Sequence, residues 1–415
     1  MTHKAVRVAL ICLSLVLVCA LAVSAADKVT LRVASWGVGE EDTFKNLADA
    51  FTKANPNITF TFEAKPFDQY FVLIDTQIQA GEAPDVFAAL GTASTVLAKW
   101  AHAGSIAPLD GIIDTSRFAP WLVKDFSVDG KLFQSPSLVG DLYGVLYNKD
   151  LFDQYNLTPP KTQADFTKLC DFFLSKGITP IYLAGKNLNQ DAIINMVGAF
   201  APNWNNNFPW HKRHYADAEF LNVMKLIQSW VDKGYFGKDF KSLDTTAAIT
   251  LYSQNKIAMS LSASYNVKAL EAAVPNTSLF FMPTPDGKLV NIQTPSQQNG
   301  YCLNAVTKHR AEAITLLKWL NTPAANQEIV DLYGSVPLSQ PASKGLTVSD
   351  PVTKIFATSG TAVPCWLDQI SPIAAKGYDV WNVVGDETTK LFYEQATPQQ
   401  IVTDLDQMTD WTLVK

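Results

Sequence analysis

The stretch Asp141–Phe152, DLYGVLYNKDLF, constrains this chain more than any other. Leu142 to Tyr147 is an apolar run rich in aromatic and β-branched residues, and its length suits a buried strand. Asn148 or Asp150 then offers an oxygen to the free N–H groups of a helix start. After Pro159 and Pro160, Thr162 and Asp165 stand at the spacing of a capping box, with Asp in place of Glu or Gln. A helix is expected over Gln163–Lys176, with Phe166, Leu169, Phe172 and Phe173 at helical spacing. Gly177 stops it, and Ile178–Leu183 restarts a strand. This strand–helix–strand unit opens a second lobe, and what precedes it makes a first.

The first lobe has the same grammar. Val29–Ser35 alternates and reads as a strand. Glu40, Glu41 and Asp42 lead into a helix whose apolar face is Phe44, Leu47, Ala48 and Phe51, and acidic residues suit that first turn. Ile58–Glu63 is a second strand, and Phe67–Ala80 a second helix ended by Gly81. Ala83–Leu90 is a nearly all-apolar third strand, and Gly91–Ser94 caps a third helix, Thr95–Ala103. Alternation of this kind implies parallel strands covered on both faces. Ligands bind at the carboxyl ends of such strands, here residues 35–41 and 90–94.

The N-terminus stands apart. His3, Lys4 and Arg7 precede an apolar run, Val8–Val23, interrupted by Ser14 and ending in Val23-Ser-Ala-Ala26. That is the pattern of a secretory signal over residues 1–26. A membrane anchor is the rival reading, but a spanning helix needs about 20 apolar residues. Lipoprotein processing at Cys19 is a second rival, opposed by the bulky Val18 before it. Without the leader, 31 basic residues face 39 acidic ones, a net charge of −8. Such a chain is a poor binder of polyanions, which sets nucleic acid aside. Cys170, Cys302 and Cys365 have no CxxC or metal-ligand spacing, and Cys170 falls on the apolar face of its helix. A disulfide between two of the three stays open. His211 and His214 are three residues apart without an evident third ligand, so no metal and no cofactor is expected.

Further matches are spread along the chain. They include Leu31-Arg-Val-Ala-Ser-Trp36, Ala48-x-Ala-Phe51 with Asn55-Pro-Asn57, Gly81-x-x-Pro-Asp-Val86 and Leu109-Asp110. Tyr143–Phe152, Pro160-x-Thr162, Gly177-x-x-Pro180, Tyr252–Met259, Phe281-Met-Pro-Thr-Pro285 and Ala311–Leu320 with Gln327-Glu328 continue the series. In order and spacing the chain resembles the family 1 extracellular solute-binding proteins, the maltose-binding-protein-like sugar-binding components of ABC transporters. The resemblance implies an α/β periplasmic-binding-protein fold of two lobes. Each lobe is a mainly parallel sheet flanked by helices, joined by crossing hinge strands. The expected boundaries are 27–138 plus 300–337 for lobe 1 and 139–299 plus 338–415 for lobe 2. Asn291–Val306 and Val336–Pro341 would be return crossings. The implied activity is capture of a carbohydrate and delivery to the permease subunits, by a monomer outside the cytoplasm, with no chemistry on the ligand.

A sugar offers hydroxyl edges and apolar C–H faces, so its site needs planar polar groups and aromatic rings. Trp36 ends the first strand. Glu40 and Glu41 can accept hydroxyl bonds, although helix-start charge explains them equally well. Gly91 and Thr92 lie at a strand end. Trp204 sits among asparagines in what reads as an irregular loop over Asn203–His211, where Trp210 competes with it. Gln298 and Asn299, with Gln297, precede the Gly300 crossing, and Trp366 with Asp368 reads as cleft-directed. The resemblance adds Asp141, at an acidic contact position of the family, and Trp381, at a stacking position. It adds Tyr265 where relatives carry a tryptophan turn. Trp230 and Trp319 read as core.

Two other functions compete. An anionic ligand such as a glycerol phosphate needs basic residues, and the candidate loops carry Glu40, Glu41, Asp141 and Asp368 instead. A glycoside hydrolase needs two facing carboxylates, for which Asp141 and Glu40 are the candidates.

Overall fold

The computed structural model describes residues 28–36, 41–91, 95–118, 120–135, 140–183, 189–207, 213–295, 300–333, 345–359, 361–369, 380–409 and 411. The expected leader and the crossing at Val336–Pro341 lie outside these residues.

β1 (Val29–Ser35), α1 (Glu41–Ala54), β2 (Ile58–Ala64), α2 (Phe67–Ala80), β3 (Val86–Ala88), α3 (Thr95–His102) and β4 (Ile106–Ala107) follow one another. β2 and β3 run parallel to β1 on either side of it. Phe44, Leu47 and Phe51 of α1 are buried, as their spacing requires, and Phe51 meets Trp319 edge-on at 5.3 Å. Gly81 closes α2 in the left-handed region, with φ 72°. The Tyr70 hydroxyl of α2 donates to the carbonyls of Ala34 and Ala88, 3.1 and 3.0 Å away, pinning the ends of β1 and β3 together. Asp85 accepts the Arg32 N–H and the Thr307 hydroxyl, a structural role.

After the short hairpin β5 (Ser127–Val128) and β6 (Lys131–Leu132), the chain passes to a second sheet. Its strands are β7 (Gly140–Asn148), β8 (Thr179–Tyr182), β9 (Ile257–Ala263), β10 (Thr277–Phe280) and β11 (Val290–Pro295). The chain then returns to the first sheet as β12 (Tyr301–Asn304), between β3 and β4, and β13 (Thr361–Pro364) goes back to the second. The second sheet runs β13-β11-β7-β9-β8, with β10 beside the far half of β7. β1–β2, β1–β3, β8–β9 and β11–β13 pair in parallel, whereas β7 and β12 run antiparallel to their neighbours. Each of these two connects one lobe to the other and so enters its sheet from the end where the rest terminate.

The apolar run predicted for β7 is buried from Leu142 to Tyr147. Alternation sends Tyr143, Val145 and Tyr147 to one core and Leu142 and Leu146 to another. The first core is covered by α4 (Gln163–Ser175), α5 (Asn189–Phe200) and α6 (Ala218–Asp232). Asn148 caps the helix after β7 by accepting the Leu151 N–H at 3.2 Å. Thr162 caps α4 by accepting the Asp165 N–H at 3.1 Å. The shorter Asp165 side chain bonds the Thr162 hydroxyl rather than reaching back to the backbone, so the box closes on one side only.

Helices α7 (Arg310–Leu320) and α8 (Pro323–Tyr333) complete the first lobe's core; α9 (Val380–Phe392) and α10 (Pro398–Met408) complete the second's. One expectation changes: Pro202–Asn207 is a helix, not an irregular loop. Its polar side chains are used internally, since the buried Asn205 Oδ1 accepts the Trp366 N–H. Cys170, Cys302 and Cys365 are buried thiols, and no disulfide joins them.

Candidate ligand-binding site

The chain leaves the first sheet at Ser135 and enters the second at Gly140; it leaves the second at Pro295 and re-enters the first at Tyr301. These points identify the ends of the two sheets that face each other. In the first sheet, Tyr301 pairs with Ala88 at the carboxyl end of β3. In the second, Gly140 pairs with Pro295 at the start of β7.

On the first-lobe side the junction is tightly bonded. The fully buried Gln134 side chain accepts the Gly91 N–H at 2.9 Å and donates to the carbonyls of Ala89 and Gly300, at 2.8 and 2.7 Å. Ser135 bonds Tyr301 twice, through its N–H and its hydroxyl oxygen. Gly91 has φ 53°, and a Cβ there would stand 3.0 Å from the Phe126 ring. Only glycine meets both demands easily. Trp36 sits at the carboxyl end of β1, half-buried, with its ring edge-on to Tyr70 at 5.2 Å and tilted to Phe71 at 5.9 Å. Three aromatic residues therefore line that strand end.

On the second-lobe side, Tyr143 pairs with Ala263, and the same register would set Tyr265 opposite Asp141. The ladder stops first. The Ser264 hydroxyl takes the Leu142 N–H at 3.1 Å, and Ser264–Asn266 turns tightly into the helix Val267–Ala273. That turn leaves Tyr265 43 % exposed while its hydroxyl points inward. The hydroxyl donates to Asp191 Oδ2 at 2.5 Å. Asp191 is in the first turn of α5 and is itself buried. Asn195, one turn on, fixes α5 to β9 by donating to the Ser262 carbonyl at 3.1 Å.

Asp141, Tyr143, Asp191 and Tyr265 thus form one electrostatic group. Burial pushes the Asp191 carboxyl up to about 7; the Tyr265 hydroxyl bond opposes this and the Asp141 charge adds to it. Burial, then the two carboxylates, pushes the Tyr143 phenol well up. Burial and Asp191 do the same for Tyr265.

The residues expected to hold ligand fall into three groups. Trp36, Asp141 and Tyr265 stand at the facing sheet ends, the last two together. Glu40, Thr92, Gln298 and Asn299 lie outside the described residues, as do Gln297 and Trp210. Glu41 is the first residue of α1, Asp368 lies in the turn Trp366–Gln369, and Trp381 is the second residue of α9. The side chains of these three lie outside the described residues.

Trp204 and Trp366 are corrections. Both are fully buried, 5.4 Å apart edge to face, and pack with Phe220 and Tyr215. The Trp204 indole N–H donates to the His214 carbonyl at 2.8 Å. They are core of the second lobe, and neither offers a ring face to a ligand. Asp191 was missed because an acid in a helix's first turn needs no further explanation in sequence. Only the packing of α5 on β9 brings it to Tyr265.

A family model described as bacterial extracellular solute-binding protein matches residues 37–327. The multiple sugar-binding protein of Streptococcus mutans is 25 % identical over 360 residues, 83 % of either chain. A solved chitin oligosaccharide binding protein superposes with a TM-score of 0.75 at 22 % identity, covering 92 % of this chain and 98 % of that one. The solute-binding protein RafE in complex with raffinose gives 0.72 at 20 % identity, over 92 % and 98 %. These likenesses establish the two-lobed α/β fold, and the extent of the family match settles membership. The chain belongs to the bacterial extracellular solute-binding protein family.

Proposed function

We propose that this protein captures a neutral mono- or oligosaccharide between its two lobes and delivers it to the permease of an ABC importer. The observation that carries this reading is the Tyr265 platform. A half-exposed ring, its hydroxyl held from behind by Asp191 and a second carboxylate beside it, suits a ligand with apolar C–H faces and hydroxyl edges. Across the junction, Trp36 supplies a second aromatic group. The three relatives named above are described as binding sugars, which supports the same class. By our assignment lobe 1 comprises residues 27–138 and 300–337 and lobe 2 residues 139–299 and 338–415, with the second boundary moved past Thr347, because Leu346 packs against the first lobe's core and the Thr347 N–H donates to Gln327. Glu40, Glu41, Thr92, Gln298, Asn299, Asp368 and Trp381 complete the proposed ligand shell. The protein works as a monomer in the periplasm or an equivalent extracytoplasmic space, exported by a signal at residues 1–26, and releases its ligand unchanged. The Asp141 carboxylate disfavours the anionic polyol.

A thermal-shift screen of the mature protein against neutral sugars, sugar acids and phosphorylated polyols tests the reading. Ligand at one hundred times Kd adds about 2.7 kcal/mol. Neutral oligosaccharides should raise the midpoint, with the effect weakened by Tyr265→Ala and Trp381→Ala. A response confined to phosphorylated compounds would overturn the sugar assignment.

A further inference from the structure

We propose that Asp191 is a positioning residue for ligand capture: by accepting the Tyr265 hydroxyl it sets the angle of the exposed ring. The inference deepens the function proposed above and rests on Tyr265 being the platform.

Three observations carry it. Tyr265 is 43 % exposed, yet its hydroxyl is tied inward at 2.5 Å. A phenol swings about its Cα–Cβ and Cβ–Cγ bonds, and a fixed tip removes that freedom before any ligand arrives. Asp191 is itself anchored, because Asn195 ties α5 to the Ser262 carbonyl, and the Asn195 amide also donates to the Asp191 carbonyl. On its far side, α5 is closed off by α9, where a Cβ on Gly385 would meet the Gln190 amide at 2.0 Å. Asp191 is buried and bonded to the Tyr265 hydroxyl, so it acts on the ligand through Tyr265.

Among the described residues, the titratable groups facing Asp191 are Asp141 and Tyr143 from β7, Tyr182 from β8 and Tyr265 after β9. None is a cation. A ligand stacked on Tyr265 removes water from this group and favours its neutral form. Affinity accordingly strengthens as pH falls through neutrality, the range into which burial has already moved the Asp191 carboxyl.

The test has two arms. In the ligand-free mature protein, carbon-13 carboxyl NMR should show one Asp titrating near neutrality and lost in Asp191→Asn. Its midpoint should rise in Tyr265→Phe, which removes the donor, and fall in Asp141→Asn. A midpoint in the ordinary carboxylate range, or one indifferent to Tyr265→Phe, overturns the proposal. The second arm is calorimetric affinity for raffinose. Asp191→Ala should weaken binding about tenfold in the wild-type background and less than about twofold in Tyr265→Phe, since the tie is already cut. Asp191→Asn, which keeps an acceptor, should recover most of the affinity but flatten its pH profile. An equal loss in both backgrounds shows a merely structural role and overturns the proposal. If no neutral sugar of the thermal-shift panel binds the wild type while the titration behaves as stated, the ligand assignment fails and the Asp191–Tyr265 tie is upheld.

Discussion

Replacing Gly198 by Ala tests the packing that holds Asp191 in place. Gly198 lies in the last turn of α5, where that helix packs on β11. A Cβ there would stand 2.0 Å from Ile292 Cδ1 and 2.5 Å from its Cγ1. Ile292 is buried and pairs with Tyr143 across the sheet, so the strand cannot retreat without disturbing β7. Two effects oppose each other. Helix propensity favours Ala over Gly by about 1 kcal/mol in a helix interior, an upper bound for this last-turn position. Overpacking a filled core costs about 1–3 kcal/mol. Cγ1 is not the free end of a flexible chain, so the upper part of that range applies and the net loss is about 1–2 kcal/mol. For a lobe of this size that lowers the midpoint by about 3–6 °C. Circular dichroism melts of Gly198→Ala, Ile292→Ala and the double variant measure it. The double variant should be more stable than the two losses added together, because truncating Ile292 makes room for the new methyl. Asp191 lies two turns earlier on α5, so Gly198→Ala should also weaken ligand binding. A Gly198→Ala protein that melts at or above the wild type would refute the close-packing argument.

Further predictions follow from other sites. Gln134→Leu keeps the volume but strips partners from the Gly91 N–H and the Ala89 and Gly300 carbonyls; at about 1–3 kcal/mol per buried orphan it should destabilise by roughly 3 kcal/mol or more in urea unfolding. Trp204→Ala should cost about 3–5 kcal/mol as a core deletion while leaving ligand selectivity unchanged, and an altered selectivity in the thermal-shift panel would return Trp204 to the ligand shell. Burial, then the neighbouring Asp350 charge, pushes the Glu271 carboxyl up to about 7. Its unfolded value is about 4.3, so across that window the folded state holds a proton that the unfolded state releases, and stability falls as pH rises. Glu271→Gln should reduce this downward slope in melts between pH 5 and 8, with Asp191 supplying part of the remainder; an unchanged slope would contradict the assignment.

Local signals in this sequence were legible where local chemistry decides the outcome. Thr162 before α4, Asn148 after β7 and Gly81 after α2 cap their helices as their residue types demand. The apolar run at Leu142–Tyr147 could only be a buried strand. What failed depends on partners distant in sequence. Asn203 to Asn206 reads as loop because asparagine prefers caps and turns. Burial of Trp204, and the use of Asn205 by a residue 161 positions away, override that preference. The same cause hid Asp191 from a reading that found Tyr265. Their contact spans 74 positions and exists only because Asn195 sets α5 on β9. Asp141 and Tyr265 come near each other because the β7–β9 ladder ends just short of both, which no periodicity reports.

The three buried thiols give each lobe its own clock. Cys302 lies in the core of the first lobe, Cys170 and Cys365 in that of the second. Burial also raises the Cys170 and Cys302 thiols, suppressing the thiolate that alkylating reagents attack. Reagent enters only when a lobe opens, so labelling rates resolved by peptide mass record the opening of each lobe separately. Ligand that spans both lobes at one hundred times Kd should slow all three rates together, by about a hundredfold. Ligand seated on one lobe alone would slow only that lobe's clock.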